Sequence, residues 1–482
     1  MPKVDNVCDL YSSYYDEWKK TMVVLDGESS IKAAAETYLP RLGGQLQGEY
    51  DAYKARGSFF NATNRVLQGL TGVVIRKPAQ LELPDDLMDM VKDMTNDGLS
   101  FDELLKAVID DDLSYGFLGC LVDMPVNGGS EAMPYVALYQ CFDILNWRTY
   151  IDKSGRRKLN FLVLREQIDE LTDDIFVVNT KKQYRVCLLD EDGYWMVQMY
   201  EERASEFVAE GKIFVQVGDD IYPMIAGRKM DYIPFVFFNT LGNAPYPEKS
   251  LLVDVVNLNI KHWQVSVDYY HGLHWCALPT PWFAGFPKEA QLTIGSSKGI
   301  CSEDPNAKAG MLEFTGAGIA AIEKSLDKIE RQMAVIGARM LEEQKRSAEV
   351  AETLKIRASG DTASLATVVN GIETGMEMIF KYLARWKKIS EEDINITLNK
   401  DFLPERLSSA DVLAYLKSYI GGAMSLDTFL HNLKEGEIIP GDRTIEEEKE
   451  LIMASDARPF TSEQDLELGG EEEEEEEVAE EL

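Results

Sequence analysis

Three of the four histidines lie close together in the sequence, at His262, His271 and His274. The last two are three residues apart in a segment with a helical pattern, so both imidazole rings can face the same side, as zinc ligands on a helix do. Their neighbours Tyr270 and Trp275 make the surroundings apolar, which favours packed, hydrogen-bonded histidines. A metal-assisted hydrolase using His271 and His274 therefore stays an alternative, and the sequence predicts no metal site and no cofactor.

Motifs of known catalytic centres are missing from the sequence. It contains no Gly-x-Ser-x-Gly elbow, no His-Glu-x-x-His pair, no Walker loop and no Cys–His signature. Carboxylates are abundant, so a hydrolase with two catalytic carboxylates stays open, but their number without a placement is no evidence for one. Six scattered cysteines without Cys-x-x-Cys spacing indicate reduced thiols in a cytosolic protein. No catalytic residue is predicted, and the chain is not expected to be an enzyme.

Acidic residues dominate the charge of the chain. Its 482 residues carry 83 acidic and 49 basic side chains, a formal net charge of −34. The last twenty residues hold twelve of the acids and no base, which leaves −22 (−34 + 12) on the first 462. A general DNA-binding or membrane-binding surface is not expected, because such surfaces collect Lys and Arg. No apolar run approaches the roughly 18 residues of a membrane span, and the N-terminus lacks a signal-peptide layout.

Periodicity divides the first half of the chain into a helical part and a β-rich part. Up to about residue 115, apolar residues recur every three or four positions, including a stretch from Tyr50 to Leu70. From about residue 117 the period is two. Asp192-Gly193 predicts a tight hairpin turn, because glycine accepts the positive φ that this turn requires. The middle of the chain is therefore expected to be antiparallel hairpins that end near Pro234.

The second half is predicted to begin with two long helices that flank a short insert. The first helix covers about 250–275 and stops at Pro279-Thr280-Pro281, and the insert up to 318 is Gly-rich and strand-like. The second helix carries a heptad seam: Ile322, Leu326, Ile329, Met333, Ile336 and Met340. This seam is explained either by packing against other subunits or by an ordinary helical subdomain of a monomer, and periodicity alone does not separate the two.

A third long helix, about 361–388, is predicted after a polar segment at 344–360. Gly371 and Gly375 stand four residues apart on it, which permits close approach of a neighbouring backbone. Three smaller helices are predicted beyond it: Ser409–Ile420, Leu426–Lys434 and Thr444–Ala454. Ser425 and Thr444 are expected N-caps, the latter with Glu447 three residues on as a capping box. Everything after about 457 is a polyacidic tail, too charged and too poor in apolar groups to fold alone.

This order of elements resembles the portal proteins of tailed bacteriophages, which form rings through which double-stranded DNA enters and leaves the capsid. The resemblance extends to short stretches of sequence over about 30–450. They are Tyr53–Asn61 (YKARGSFFN) followed by Thr71-Gly72, Asp143–Trp147, His271–Pro281 (HGLHWCALPTP), Leu312–Gly316 (LEFTG), Met333–Leu341 (MAVIGARML) and Ser425–Glu448. The polyacidic tail is not part of the resemblance.

The resemblance implies an α+β portal-type fold with seven named parts before the tail. They are a helical and β wing (1–245), a first stem helix (246–278), a small β-containing clip (279–318), a second stem helix (319–343), a tunnel loop (344–360), a spine helix of the wing (361–399) and a helical crown (400–457); a disordered polyacidic tail (458–482) would follow. These ranges are expectations carried over from the family.

The resemblance also implies the partners of the chain. The family forms homo-oligomeric rings, twelve copies in the virion, which head-to-tail interfaces can close. Double-stranded DNA would pass through the ring without sequence preference. Further expected partners are the large terminase subunit, the head–tail adaptor, and the major capsid and scaffolding proteins. The expected location is the portal vertex of the virion, with the host cytoplasm during assembly and no membrane partner.

Charged residues around the second stem helix are candidates for contact with DNA. Acids on that helix (Glu323, Asp327 and Glu330) would line an acidic tunnel that repels the phosphates and keeps the duplex moving, since a basic lining would bind it. Sparse cations of the tunnel loop (Lys345, Arg346, Lys355 and Arg357) would make transient contacts with it. The alternative for all of these charges is ion pairing between subunits.

Three aromatic residues follow the Pro-Thr-Pro corner of the expected clip: Trp282, Phe283 and Phe286. They could dock the packaging motor or the adaptor, form the clip's own small core, or fill the seam between adjacent clips, of which the seam is favoured. Among other classes of protein, an adaptor-type or scaffold-linked phage ring is disfavoured by the length of the chain. A monomeric acidic interaction protein stays open.

Substituting Arg346 and Lys355 together by alanine is expected to alter DNA retention after packaging without breaking the ring, because transient contacts to the phosphates would be lost. Retention is measured as the DNA that stays nuclease-protected in particles packaged with variant rings. Unchanged packaging and unchanged retention would contradict the loop-contact hypothesis.

Overall fold

Helices and antiparallel strands occupy separate stretches of the chain, so the fold is α+β, as the sequence predicts. The structure is a computed structural model. It describes residues 3–125, 132–171, 176–204, 212–277, 280–286, 302, 304–312, 316, 318–341, 351–400, 402, 409–436, 438–439 and 443–454. The chain divides into two units, Met1–Leu398 and Asn399–Leu482.

Six helices and a short strand form the start of the first unit. They are α1 (Asp9–Asp26), α2 (Glu28–Ala34), α3 (Gln47–Arg56), α4 (Ala62–Val74), β1 (Gln80–Glu82), α5 (Asp85–Met88) and α6 (Phe101–Tyr115). The prediction of one helical stretch from Tyr50 to Leu70 is wrong, because residues 57–61 separate α3 from α4. Asn61 begins α4 as its N-cap: its Oδ1 accepts a hydrogen bond from the N–H of Asn64 at 3.1 Å.

Ten strands follow in the described residues, and they pair with one another antiparallel. They are β2 (Leu118–Asp123), β3 (Tyr135–Gln140), β4 (Ile144–Ile151), β5 (Arg157–Leu171), β6 (Val178–Leu189), β7 (Trp195–Ala204), β8 (Lys212–Gln216), β9 (Met224–Ile225), β10 (Arg228–Lys229) and β11 (Phe235–Phe238). They form a five-stranded sheet, β4-β5-β6-β7-β8, a three-stranded sheet, β11-β2-β3, and the pair β9-β10. The predicted hairpin turn is confirmed between β6 and β7, where Gly193 has a φ of +85°.

The last elements of the first unit are three long helices and three short strands. They are α7 (Val253–Ala277), β12 (Thr280–Ala284), β13 (Lys308–Leu312), α8 (Ile319–Leu341), α9 (Ala351–Lys387) and β14 (Asn395–Thr397). The predicted start of the third helix at 361 is wrong, because α9 begins at Ala351. Residues 351–358 are mostly strong helix formers, and the single Gly360 does not stop the helix. None of the described helices combines the length and apolar composition that crossing a bilayer requires.

The described residues of the second unit form three helices, α10 (Ser409–Ile420), α11 (Leu426–Glu435) and α12 (Ile445–Ala454). The predicted N-caps are confirmed. The Ser425 hydroxyl accepts a hydrogen bond from the N–H of Thr428 at 3.2 Å, and Thr444 and Glu447 form a reciprocal capping box at 2.8 and 3.2 Å. The predicted tail, 458–482, lies outside the described residues.

The core of the first unit centres on α9 and the three-stranded sheet. All seven members of the predicted apolar stripe are buried: Leu365, Val369, Ile372, Met376, Ile379, Leu383 and Trp386. The predicted close approach at the two glycines is confirmed. A Cβ on Gly371 would lie 2.9 Å from the Cα of Gly242, and a Cβ on Gly375 would lie 2.2 Å from the ring of Phe238. The absence of these side chains therefore lets α9 lie directly on the end of β11.

A largely buried network of ion pairs and hydrogen bonds joins the five-stranded sheet to the three-stranded sheet. The guanidinium of Arg185 on β6 donates to Asp123 on β2 and to Glu166 on β5, each at 2.6 Å. The hydroxyl of Tyr139 on β3 donates to the same Glu166 oxygen at 2.6 Å. Because every charge in this network has a partner of opposite charge, its burial is tolerated.

Two neighbouring carboxyl groups on α6 lack such compensation. Both carboxyl oxygens of Asp112 are buried without a hydrogen-bond partner among the described residues. Burial, followed by the charge of Asp111, raises its pKa well above the ordinary value. Burial also raises the pKa of Asp111 to about 7; a hydrogen bond from the side-chain amide of Gln140, at 2.9 Å, acts in the opposite direction.

Asp111→Asn is expected to stabilise the protein at pH 8 and to change little near pH 4. Between its ordinary pKa of 3.8 and its folded value of about 7, the folded protein holds a proton that the unfolded chain releases. The free energy of unfolding of the wild type therefore falls as the pH rises through this window. In the variant, the new side-chain amide still accepts the hydrogen bond from Gln140 and carries no charge at any of these pH values. Thermal unfolding from pH 4 to pH 8 measures the difference. The exposed Asp97→Asn is the control, and a gain for D111N that is constant with pH would contradict the prediction.

Candidate functional site

The helices α7 and α8 follow one another in the chain with the hairpin of β12 and β13 between them. We call α7 and α8 the stem helices, and β12 with β13 the tip hairpin. The hairpin is antiparallel, with Thr280 opposite Leu312 and Ala284 opposite Lys308. The stem helices pack against each other, and α8 also contacts α4. This arrangement corresponds to the helix–insert–helix order expected from the sequence.

Burial along α7 is uneven. Its N-terminal two thirds is enclosed, with Trp263 and Val267 fully buried. Towards its C-terminus the helix emerges, and the side chains of Tyr270 and Trp275 are 43% and 51% exposed. The stem is therefore firmly anchored at one end of α7 and only partly buried at the other.

A buried asparagine anchors α7 to the start of α4. The Asn259 Oδ1 accepts hydrogen bonds from the N–H and the hydroxyl of Thr63, at 3.1 and 3.0 Å. Its Nδ2 donates to the carbonyl of Phe60 at 2.8 Å. Asn259 and Thr63 are both fully buried, so replacing either partner would leave the other unsatisfied in a place without water. This contact sets the rotation and the height of α7 against α4.

The segment that precedes α4 presses directly on α7. A Cβ on Gly57 would lie 2.3 Å from Val267 Cγ2, closer than real Cβ atoms approach. Beside it, Ser58 and Ser266 exchange hydrogen bonds in which the Ser266 hydroxyl donates to the Ser58 carbonyl at 3.0 Å. The neighbouring Tyr53 hydroxyl donates to Asp268 at 2.5 Å, and its pKa is raised by burial and by this carboxylate. The stretch 53–63 is therefore a clamp on α7; we call it the α7 clamp.

The second stem helix is held by only part of its apolar seam. Ile329 and Met333 are buried in a cluster with Ala62 of α4, and Leu258 and Val265 of α7 pack against this cluster. Other members of the seam (Ile322, Leu326 and Ile336) are only partly buried. A hydrogen bond of 3.1 Å between His262 Nε2 and Glu330 Oε1 also links the two stem helices. Packing within the chain thus accounts for Ile329 and Met333 in the middle of the seam and leaves Ile322, Leu326 and Ile336 half open.

The histidine pair does not form a metal centre with other described residues. His271 Nε2 accepts a hydrogen bond from the Trp275 indole N–H at 3.0 Å, and its ring stands edge-on to Tyr53 at 5.1 Å. Its pKa is lowered by burial and by the positive charge of Arg56. Within the described ranges, no group of three or more His, Cys, Asp or Glu side chains could hold a metal ion. The hydrolase alternative based on His271 and His274 gains no support from this geometry.

The predicted charged residues fall into separate groups. Glu323, Asp327 and Glu330 are all on α8 and all exposed. Lys345 and Arg346 lie outside the described residues. Lys355 and Arg357 belong to α9, so their assignment to a loop is wrong, for the same reason that the helix starts early.

The aromatic residues of the tip hairpin divide between its own packing and its surface. The rings of Phe283 and Phe286 contact each other in an edge-to-face arrangement, with centroids 5.7 Å apart. Trp282 lies over Gly310 on the opposite strand, where a Cβ would be 2.8 Å from the indole nitrogen. It is nevertheless 44% exposed, and the neighbouring Met311 is 50% exposed. The hairpin therefore presents apolar surface that its own described residues do not cover.

Sequence reasoning missed the residues of the α7 clamp as structural partners of α7. Gly57 and Asn61 were available as break signals, because a glycine followed by an asparagine at an N-cap position ends one helix and starts the next. The partnership of Thr63 with Asn259 had no local signal, because the two residues are far apart in the chain.

One family model matches the stem helices and α9, and chains in two solved structures give a weaker match to most of the chain. Residues 251–387 match the family described as "Domain of unknown function (DUF4055)", a segment that begins two residues before α7 and ends with α9. No curated protein matches the chain. Two solved structures contain similar chains, one described as the virion of a native gene transfer agent (GTA) particle and one as the neck of an empty GTA particle computed with C6 symmetry. Each is 12% identical, covers 82% of this chain and 96% of its own, and superposes with a TM-score of 0.36. A likeness at this TM-score does not establish a shared fold.

Gly57→Ala is expected to lower the free energy of unfolding by about 1–3 kcal/mol, because the added methyl group collides with Val267 in a packed contact. Thermal or denaturant unfolding measures the change. Gly48→Ala on α3 is the matched control, since a Cβ there meets nothing within 4 Å and alanine favours a helix. Adding Val267→Ala should recover part of the loss. An additive double variant would show that the collision is not the cause.

Proposed function

We propose that this chain is the portal subunit of a tailed bacteriophage or of a related particle. In this proposal it forms a ring at one capsid vertex that conducts double-stranded DNA during packaging and ejection. The observation that carries the proposal is the order of four elements in the chain: the stem helix α7, the tip hairpin, the stem helix α8 and the 37-residue α9. The last of these packs in the core of the first unit. The sequence resemblance to portal proteins predicts this order.

Anchoring of the stem supports a role in a ring. The α7 clamp and the Asn259 hydrogen bonds hold the base of α7 rigidly, while its far end and the tip hairpin are exposed. A subunit built in this way can present its stem to identical neighbours on both sides without rearranging its core. Head-to-tail contacts between such subunits close into a ring.

The charge of the chain is compatible with a conduit for DNA. Duplex DNA carries one phosphate charge about every 1.7 Å of its axis, so a basic channel would hold it in a salt-dependent way. A net charge of −34 per chain instead repels the duplex from the walls. In this proposal the chain forms the path of the DNA and contributes no catalytic step to its movement.

The tip hairpin is the proposed contact with other components. Its exposed Trp282 and Met311 would fill the seam between adjacent subunits, and the outer surface of the assembled tips would meet the terminase motor and later the adaptor. Aromatic residues at such positions contribute strongly to interface energy.

The native mass of the purified protein tests the proposal, with electron micrographs of the same sample. A closed ring of twelve copies of the 54.3 kDa chain has a mass of about 650 kDa and a central hole. Another ring number with a central hole would support the proposal with a different stoichiometry. A monodisperse monomer under packaging-like salt would contradict it.

A further inference from the structure

The outward surface of α8 carries charges of opposite sign in two separate stripes. We call them the acidic stripe and the basic stripe. The acidic stripe consists of Glu323, Asp327 and Glu330, and the basic stripe of Lys324, Lys328 and Arg331; all six side chains are exposed. With 3.6 residues per turn, the centres of the two stripes lie about 100° apart around the helix axis. Both stripes are turned away from the apolar seam at Ile329 and Met333, which faces α4 and α7.

This distribution does not serve the stability of α8 itself. Six pairs of these residues are three or four positions apart, and four of the six join like charges, among them Glu323 with Asp327 and Lys324 with Lys328; such pairs weaken an isolated helix. The two opposite-charge pairs, Lys324 with Asp327 and Asp327 with Arg331, form no ion pair within the described part of the chain. Of the six stripe residues, only Glu330 has a side-chain partner among the described residues: its Oε1 lies 3.1 Å from His262 Nε2. A helix that merely needed solubility would interleave opposite charges at this spacing. The segregation therefore indicates a partner surface outside the chain.

The pattern of the stripes favours a second copy of this chain as that partner. The stripes carry three charges each, so they can neutralise one another when two copies meet. A DNA-facing surface would not place a row of three cations along the channel, because these would bind the phosphates that must slide past. An acidic or a basic ligand would need one stripe and not the other.

We infer that the acidic stripe of one subunit meets the basic stripe of the next subunit around the ring. The inference rests on the proposed function and adds to it the contact that joins neighbouring stems. It assigns Glu323 and Asp327 to the interface between subunits rather than to the DNA-facing wall. Each exposed pair contributes little by itself, but opposed stripes set the partner and the register, because a misplaced neighbour brings like charges together.

Two reciprocal variants test the contact. The acid variant, Lys324→Glu with Lys328→Glu, makes both stripes acidic, and the base variant, Glu323→Lys with Asp327→Lys, makes both basic. Each variant alone should lose most of its ring fraction by native mass, because every contact becomes repulsive. An equimolar mixture should recover rings in which the two variants alternate, since each contact then joins opposite charges. A chain with all four substitutions should also assemble alone.

The controls separate the contact from general effects of charge and folding. Lys153→Glu with Arg156→Glu, on an exposed turn between β4 and β5, makes the same change in net charge as the acid variant and should leave the ring fraction unchanged. Circular dichroism and thermal unfolding show whether each variant folds.

The outcomes distinguish this inference from the proposed function. If the wild type forms no ring, the proposed function fails. If the wild type forms rings and both variants also form them as well as the control does, the stripe contact is wrong and the ring stands. Recovery of a two-subunit species in the mixture would also overturn the inference, because the stripes would then pair reciprocally in a closed dimer.

Discussion

The position of the stem depends on a contact in which there is no room for a side chain. Gly57 lies so close to Val267 that even a methyl group would overlap it, and this approach brings Thr63 within hydrogen-bonding distance of Asn259. The close Gly57–Val267 contact and the buried hydrogen bonds of Asn259 reinforce each other. The apolar contact excludes water, and the exclusion of water makes the hydrogen bonds of Asn259 costly to lose. The base of α7 therefore has one well-defined orientation, and α8 takes its own orientation from α7.

Anchoring at the base leaves the rest of the stem with surface that the described chain does not cover. Ile329 and Met333 complete a small core with α4 and α7, whereas Ile322, Leu326 and Ile336 are half open. The tip hairpin exposes Trp282 and Met311. The sequence left two explanations of the heptad seam open. The structure shows that part of the seam is satisfied within one chain, and the remaining surface is the material for contacts between subunits under the proposed function.

Charge has two different uses in the proposed assembly. The net charge of −34 acts over the whole ring and keeps the duplex away from the walls. The stripes on α8 act over a few ångströms and select a neighbour in one register. These uses are compatible because opposed stripes cancel locally and leave the overall acidity unchanged. Buried charge in the first unit follows another rule. Arg185 is fully paired, whereas burial raises the pKa of Asp111 to about 7 and that of Asp112 well above its ordinary value, because the charged carboxylates are disfavoured there.

Local patterns in the sequence were enough for most helices and strands, for the hairpin turn at Gly193 and for the caps at Ser425 and Thr444. These features depend on residues within about one helical turn or one strand pair. The interactions that stabilise them are therefore between residues close in the sequence. The early start of α9 and the break at 57–61 were missed, because helix propensity and capping compete over a few residues and the boundary follows small differences. The pairing of β1 with β14, the contact of α7 with the α7 clamp, and the absence of further metal ligands beside the histidine pair among the described residues were decided only in the tertiary structure. These contacts join residues far apart in the chain. Neither segment alone specifies which distant segment will pack against it.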